Sequence, residues 1–107
     1  MKHWKSWLGG VMVMAAVATP GIASANQALA QKNACLACHA VDKKLVGPAF
    51  QDIAKKYTGQ ADAQAQIAKS IKAGGSGKWG PIPMPAQAAL SEADAGTLAA
   101  WILAGSK

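Results

Sequence analysis

Two cysteines and a histidine stand together in the run Cys35-Leu36-Ala37-Cys38-His39. In an exported protein, two cysteines would ordinarily indicate a disulfide. Cysteines three positions apart also occur in thioredoxin-like redox pairs, in half of a metal site and at sites of covalent haem attachment. The rest of the chain has to distinguish among these four chemistries.

The N-terminal residues predict export. A short positive stretch at residues 2–5 precedes an apolar run at residues 7–18, and Ala23-Ser24-Ala25 offers the small-x-small pattern that a signal peptidase cleaves. The alternative is a membrane anchor, but spanning a bilayer takes roughly 20 apolar residues and this run is shorter. We therefore predict a cleaved signal peptide over residues 1–25, a mature domain over residues 26–107 and no stable membrane anchor.

The predicted mature chain has 82 residues, enough for one small domain that needs a disulfide, metal or cofactor to supplement its core. Nine lysines against five acidic residues give it a net charge of +4, without any arginine. Its four aromatic residues do not interleave with a basic patch, which excludes a nucleic-acid-binding module. The charge favours an acidic protein partner instead.

The mature sequence predicts an all-α fold, because no segment shows the alternation of a strand. We expect about four short helices: residues 26–38, residues 49–57, residues 62–73, and a last one capped by Ser91 and carrying the apolar stripe of Leu90, Leu98, Trp101 and Ile102. Helices this short enclose little core on their own. A cofactor would fill the centre.

This context selects one chemistry for the cysteines. A thioredoxin-like site needs a strand-to-helix unit, and a tetrahedral metal site needs four ligands where the mature chain offers two thiols and one imidazole. His39 completes the C-x-x-C-H pattern of c-type haem attachment. At this spacing Cys35 and Cys38 would bond two vinyl-derived carbons at one porphyrin edge, and the adjacent imidazole would reach the iron. The sequence predicts one covalently attached haem c.

Met84 is the candidate for the second iron ligand. It is the single methionine of the predicted mature chain, which has no histidine besides His39. A lone methionine often only fills a core gap, but Met84 lies between Pro83 and Pro85 in an irregular segment rather than on an apolar helical face. Filling both axial positions suits electron transfer and disfavours catalysis at the iron. We therefore expect an electron carrier and no enzyme.

These motifs resemble those of bacterial class I cytochromes c, in particular the cytochrome c-551 (cytochrome c8) group of Pseudomonas-type bacteria. The shared stretches are Cys-Leu-Ala-Cys-His-Ala-Val-Asp, Val-Gly-Pro-Ala-Phe, Gly-Gly-Ser-Gly-Lys-Trp-Gly-Pro-Ile-Pro-Met-Pro and Leu-Ala-Ala-Trp-Ile-Leu. The resemblance implies a class I fold around one haem and a monomeric periplasmic carrier. It also implies that the Pro48 carbonyl accepts a hydrogen bond from His39 and that Trp79 donates one to a haem propionate.

Three positions depart from the family pattern. Gln87 stands where an asparagine often bonds the methionine sulfur, and Ser70 stands where an arginine often lies near a propionate. The neighbouring Lys69 is a doubtful replacement for that arginine. Ala30 replaces an aromatic residue, so we expect a looser contact with the helix that carries Trp101.

Three functions remain to be compared. The first is a carrier between respiratory donors and a terminal reductase, oxidase or peroxidase, with Lys43, Lys44 and Lys78 around the exposed haem edge to orient acidic partners. Such lysines are also common on any solvated surface. The second function is a haem enzyme or sensor with an open coordination site. The third is a haem-free thiol oxidoreductase.

Overall fold

A computed structural model describes residues 22–107. Its helices are α1 (Ile22–Lys32), α2 (Phe50–Tyr57), α3 (Ala63–Ala73) and α4 (Glu92–Leu103), with a 3-10 turn at Cys35–Ala37. Over these residues there is no strand, only isolated bridges at His39–Lys44 and Gly75–Met84. The prediction of an all-α chain with about four short helices is confirmed for this part of the molecule.

The predicted signal peptide lies mostly outside the described residues, and its cleavage stays a prediction. The predicted cleavage position after Ala25 falls within α1 as it stands in the full chain. None of the helices between residues 22 and 107 is long and apolar enough to cross a membrane.

The first helix ends earlier than predicted. We expected it to continue to Cys38, but it stops at Lys32, and Ala34 then adopts a left-handed conformation with φ of 60°. A left-handed residue redirects the chain, and for alanine it is uncommon. The cysteines consequently lie on a separate 3-10 turn, closed by a 3.0 Å bond from the His39 N–H to the Cys35 carbonyl.

Helices α2 and α3 begin one residue after the predicted positions. The first N–H groups of α2 donate to the carbonyls of Ala40 and Val41, so the chain that follows the cysteine motif satisfies the start of this helix. Gly74 ends α3 with φ of +66°, and a Cβ atom there would lie 2.5 Å from the Met84 carbonyl oxygen. Glycine meets both requirements at once.

Helix α4 packs against the other three helices and organises the core. As predicted, Ser91 caps it, because its Oγ accepts a 3.0 Å bond from the Asp94 N–H. Trp101 is 3 % exposed and meets Phe50 edge to face, with ring centroids 5.4 Å apart. Ala30 is 0 % exposed and belongs to the same buried cluster as Trp101. The looser contact expected at Ala30 stays a prediction.

Candidate haem-binding site

An apolar cavity of about 500 Å³ lies among the helices and the segments between them. Every residue to which the sequence analysis assigned a role in haem binding lines this cavity: Cys35, Cys38, His39, Pro48, Trp79 and Met84. The structure therefore brings together side chains that are up to 49 positions apart in the sequence.

The imidazole of His39 is held from several directions. Its Nδ1 lies 2.7 Å from the Pro48 carbonyl oxygen, which can only accept, so Nδ1 carries the proton and Nε2 keeps a free lone pair. The Phe50 ring stacks on the imidazole at 5.1 Å and 21°. Only 9 % of His39 is exposed. These contacts fix both the tautomer and the plane of the ring.

Gly47 is a site residue that the sequence analysis treated only as part of a turn. A Cβ atom at this position would lie 2.5 Å from Cε1 of His39, far inside contact distance. Its N–H also donates a 2.7 Å bond to the Cys38 carbonyl, which ties the turn to the cysteine motif. In the sequence, only the position of Gly47 before Pro48 pointed to a special role for this glycine. Its close approach to His39 is apparent only in the three-dimensional structure.

The two cysteines are free, half-buried thiols on the 3-10 turn. Burial raises the pKa of the Cys35 thiol, with a smaller opposing effect from a backbone hydrogen bond. A raised pKa disfavours the thiolate that a thiol oxidoreductase would use as its nucleophile. The described residues also lack the strand-to-helix unit of a thioredoxin-like site.

Met84 lies on a long irregular segment, residues 74–90, that is anchored to the end of α3. The N–H of Met84 donates to the Gly75 carbonyl at 2.7 Å, and the N–H of Gly75 donates back to the Met84 carbonyl at 3.1 Å. A third backbone bond joins the Gln87 N–H to the Ile71 carbonyl at 3.2 Å. Together with the fixed φ angles of the flanking prolines, these bonds hold Met84 against the cavity.

The departures Gln87 and Ser70 both line the cavity. The side-chain nitrogen of Gln87 lies 3.5 Å from the Pro85 carbonyl oxygen. The side-chain amide of Gln87 can therefore donate to the backbone of its own segment. Ser70 is half-buried and uncharged, whereas Lys69 is exposed and does not line the cavity. The wall contributed by α3 thus carries no positive charge.

Beside Trp79, the last turn of α2 meets the irregular segment. The Lys56 ammonium lies 4.6 Å from the centroid of the Trp79 ring and 3.5 Å from the Lys78 carbonyl oxygen. The Lys78 ammonium donates a 2.8 Å bond to the hydroxyl of Tyr57. Sequence analysis included Tyr57 only as the last residue of the predicted helix at 49–57, and assigned no contact to its hydroxyl.

The residues present fit a covalently attached haem. The cavity volume lies within the range of about 300–1,000 Å³ that is usual for cofactor sites, and its wall is mainly apolar. Two thiols and an oriented imidazole lie at one side, and a thioether lies on the segment that completes the wall. The donor set therefore suits a covalently attached haem c.

Comparison with known proteins agrees with this chemistry. The family model "Cytochrome c" matches residues 23–106. Cytochrome c-552 of Nitrosomonas europaea is 50% identical over 98 residues, covering 92% of this chain and 94% of the relative. Cytochrome c-551 of Pseudomonas denitrificans is 56% identical over 80 residues, covering 75% and 96%.

Solved structures give the same result. The crystal structure of wild-type Nitrosomonas europaea cytochrome c552 superposes with a TM-score of 0.72 at 53% identity, over 74% of this chain and 98% of that one. A class 1 cytochrome from Sideroxydans lithotrophicus gives a TM-score of 0.64 at 30% identity, over 78% and 96%. The expected class I cytochrome c fold is thereby confirmed.

Proposed function

This chain belongs to the cytochrome c family, whose cofactor is covalently bound haem c with its iron, and we propose that it is a periplasmic one-electron carrier with His39 and Met84 as axial ligands. Haem supplies the Fe(III)/Fe(II) couple. The protein has to attach it, hold both ligands, exclude water and leave one edge accessible. The similarity to cytochromes c-551 and c-552 supports the general role of a small electron carrier.

Cys35 and Cys38 are the proposed attachment residues. Each sulfur would hold the haem through a thioether bond to a carbon of one vinyl-derived group, with the thiol hydrogen transferred to the neighbouring carbon. A covalent link suits a domain too small to retain a large cofactor by burial alone. The position of both cysteines on one short turn beside His39 supports this assignment.

The bond between His39 and Pro48 is the observation that carries the proposal. Because Nδ1 donates to the Pro48 carbonyl at 2.7 Å, Nε2 is unprotonated and available to the iron. The same bond restricts the rotation of the imidazole. An imidazole that served only as a core side chain would gain nothing from exposing its lone pair to an apolar cavity.

Met84 is the proposed opposite ligand. Its thioether is a soft donor that raises the reduction potential relative to a second histidine. Its backbone is tied to Gly75 by two hydrogen bonds, which would limit its movement between the two redox states. With both axial positions filled, the iron would exchange electrons and bind external ligands poorly.

The accessible edge is proposed to lie near Val46 and Ile82. Both side chains line the cavity and are nevertheless 51 % and 61 % exposed. Lys44 also lines the cavity, and Lys43 beside it is exposed. An apolar patch with neighbouring lysines suits brief contact between a monomeric carrier and an acidic redox protein, such as a respiratory donor, reductase, oxidase or peroxidase.

Two measurements test the proposal on the exported protein. Mass spectrometry should find a chain that begins at Asn26 and carries one covalent haem, and a mass without haem would contradict the proposal. Carbon monoxide should bind poorly to the reduced protein and readily to Met84→Ala, in which one axial position is open. Tight binding by the unmodified protein would instead support a haem enzyme or sensor.

A further inference from the structure

Hydrogen-bond donors cluster at one corner of the cavity, where the last turn of α2 meets the irregular segment. Tyr57 offers a hydroxyl, Lys78 an ammonium and Trp79 an indole N–H, and all three residues line the cavity. No aspartate or glutamate from residues 22–107 lines it. Such a corner suits an anionic group on the bound molecule, because ionised carboxylates accept several hydrogen bonds and donate none.

Lys78 is held in place by a buried partner. Tyr57 is only 4 % exposed, and its hydroxyl accepts the 2.8 Å bond from the Lys78 ammonium. An ammonium has three N–H groups, so two remain for another acceptor after this bond. The Tyr57 hydroxyl also keeps its own proton to donate.

Lys56 strengthens this arrangement from α2. Its ammonium lies over the Trp79 ring and close to the Lys78 carbonyl, so the backbone of residues 78–79 is fixed to the last turn of that helix. The Lys56 side chain therefore reaches from α2 to the irregular segment, and the Lys78 side chain reaches from that segment back to α2. This leaves Lys78 with less freedom than an unattached surface lysine.

We propose that Lys78, positioned by Tyr57, binds a carboxylate of the haem and supplies the positive charge that Ser70 cannot provide. This inference rests on the proposed function, since it requires haem in the cavity. It assigns Lys78 to cofactor binding instead of partner docking. The charge comes from the irregular segment because the α3 wall is neutral and Lys69 does not line the cavity, whereas Lys78 does.

The sign of the effect follows from electrostatics. A nearby ammonium stabilises the ionised carboxylate, which lowers its pKa. It also disfavours the more positive ferric iron and so raises the reduction potential. The groups at this corner are Tyr57 from α2 and Lys78 with Trp79 from the irregular segment, all of which line the cavity. Lys56 of α2 lies beside them over the Trp79 ring but does not line the cavity, and α3 contributes the uncharged Ser70 to the cavity wall.

The test measures the reduction potential against pH for the holoprotein and its variants. In Lys78→Gln, the carboxylate ionisation should move upward by about one pH unit, corresponding to tenfold easier protonation. Above that ionisation the reduction potential should lie below that of the unmodified protein. Tyr57→Phe should shift the ionisation in the same direction but less, and Lys78→Arg should restore the original profile.

Lys69→Gln is the matched control, because it removes one positive charge from an exposed residue outside the cavity wall. If Lys78→Gln and Lys69→Gln have the same profile, the inference is wrong. Haem mass and the methionine-dependent absorption band are recorded on every sample. Their absence from the unmodified protein would overturn the proposed function itself, whereas their presence with an unchanged profile would overturn only the role of Lys78.

Discussion

The two sides of the cavity are built differently. On the histidine side, residues 35–50, His39 is buried, stacked on Phe50 and bonded to the backbone within a tight turn. On the methionine side, residues 74–87, an irregular segment is held by three backbone bonds to Gly75 and Ile71 and by its prolines. Most residues between 75 and 86 are exposed.

This difference suggests a division of roles. The histidine side shares its contacts with the helical core through Phe50 and Trp101, so disturbing it should destabilise the whole domain. The methionine side has few such contacts, so disturbing it should alter the site and leave the fold intact. Matched substitutions on the two sides can break or support this comparison.

The largest expected difference comes from removing an apolar side chain. Phe50→Ala should lower the free energy of unfolding by about 3–5 kcal/mol, since it empties a space between His39 and Trp101. Ile82→Ala, at a side chain that is 61 % exposed, should change it by less than about 0.5 kcal/mol. Chemical denaturation of the holoproteins, followed by circular dichroism, measures both. Equal losses would remove the distinction between the sides.

A pair of glycines gives a smaller but sharper contrast. Gly47→Ala would force a methyl group against the His39 ring and should cost about 1–3 kcal/mol of stability. A Cβ atom at Gly75 meets no protein atom within 4 Å, so Gly75→Ala should cost less than Gly47→Ala. Thermal unfolding of the two holoproteins checks this. If Gly47→Ala is as stable as Gly75→Ala, the close packing against His39 is wrong.

Gly74→Ala should disturb the methionine side in particular. The substitution places a methyl group against the Met84 carbonyl at a positive φ, at a cost of about 1–3 kcal/mol. We expect the methionine-dependent absorption band to disappear at a lower temperature than the helical signal is lost. Simultaneous loss of both signals would mean that the methionine side is not a separable unit.

The smallest expected effect concerns the surface. Replacing Lys43 and Lys44 together by glutamine should slow electron transfer to an acidic redox protein severalfold at low ionic strength, with little effect on stability. Added salt should slow the unmodified protein and reduce the difference. Stopped-flow kinetics at several salt concentrations measures both trends. Rates that do not depend on salt would exclude a basic docking surface.

The sequence predicted those features that depend on local chemistry. Helix α4 begins after Ser91 because a side-chain oxygen there satisfies an N–H group of the first turn, which is a local rule. Helix α3 ended at Ala73 as predicted, also for a local reason, because Gly74 follows it with a positive φ. Cys35, Cys38, His39 and Met84 could be named because few other residues could perform their chemistry, whereas Pro48 and Trp79 were named from the family resemblance.

The remaining features depend on contacts between distant segments. Ala34 has no intrinsic preference for a left-handed conformation, so the early end of α1 could not be predicted from residue types. The approach of Gly47 to His39 exists only after the turn has folded back onto the cysteine motif. The bond from Lys78 to Tyr57 exists only after α2 has packed beside the irregular segment. From the sequence pattern alone, Gly47 is part of a turn, Lys78 is a surface lysine and Tyr57 is a core aromatic residue.

Axial ligation by Met84 is the central claim, and optical spectroscopy of the oxidised holoprotein tests it most directly. The unmodified protein should show the weak long-wavelength absorption band of methionine-ligated ferric haem, and Met84→His should lose that band while keeping covalent haem. A band that survives in Met84→His, or that is absent from the unmodified protein, would contradict the assignment.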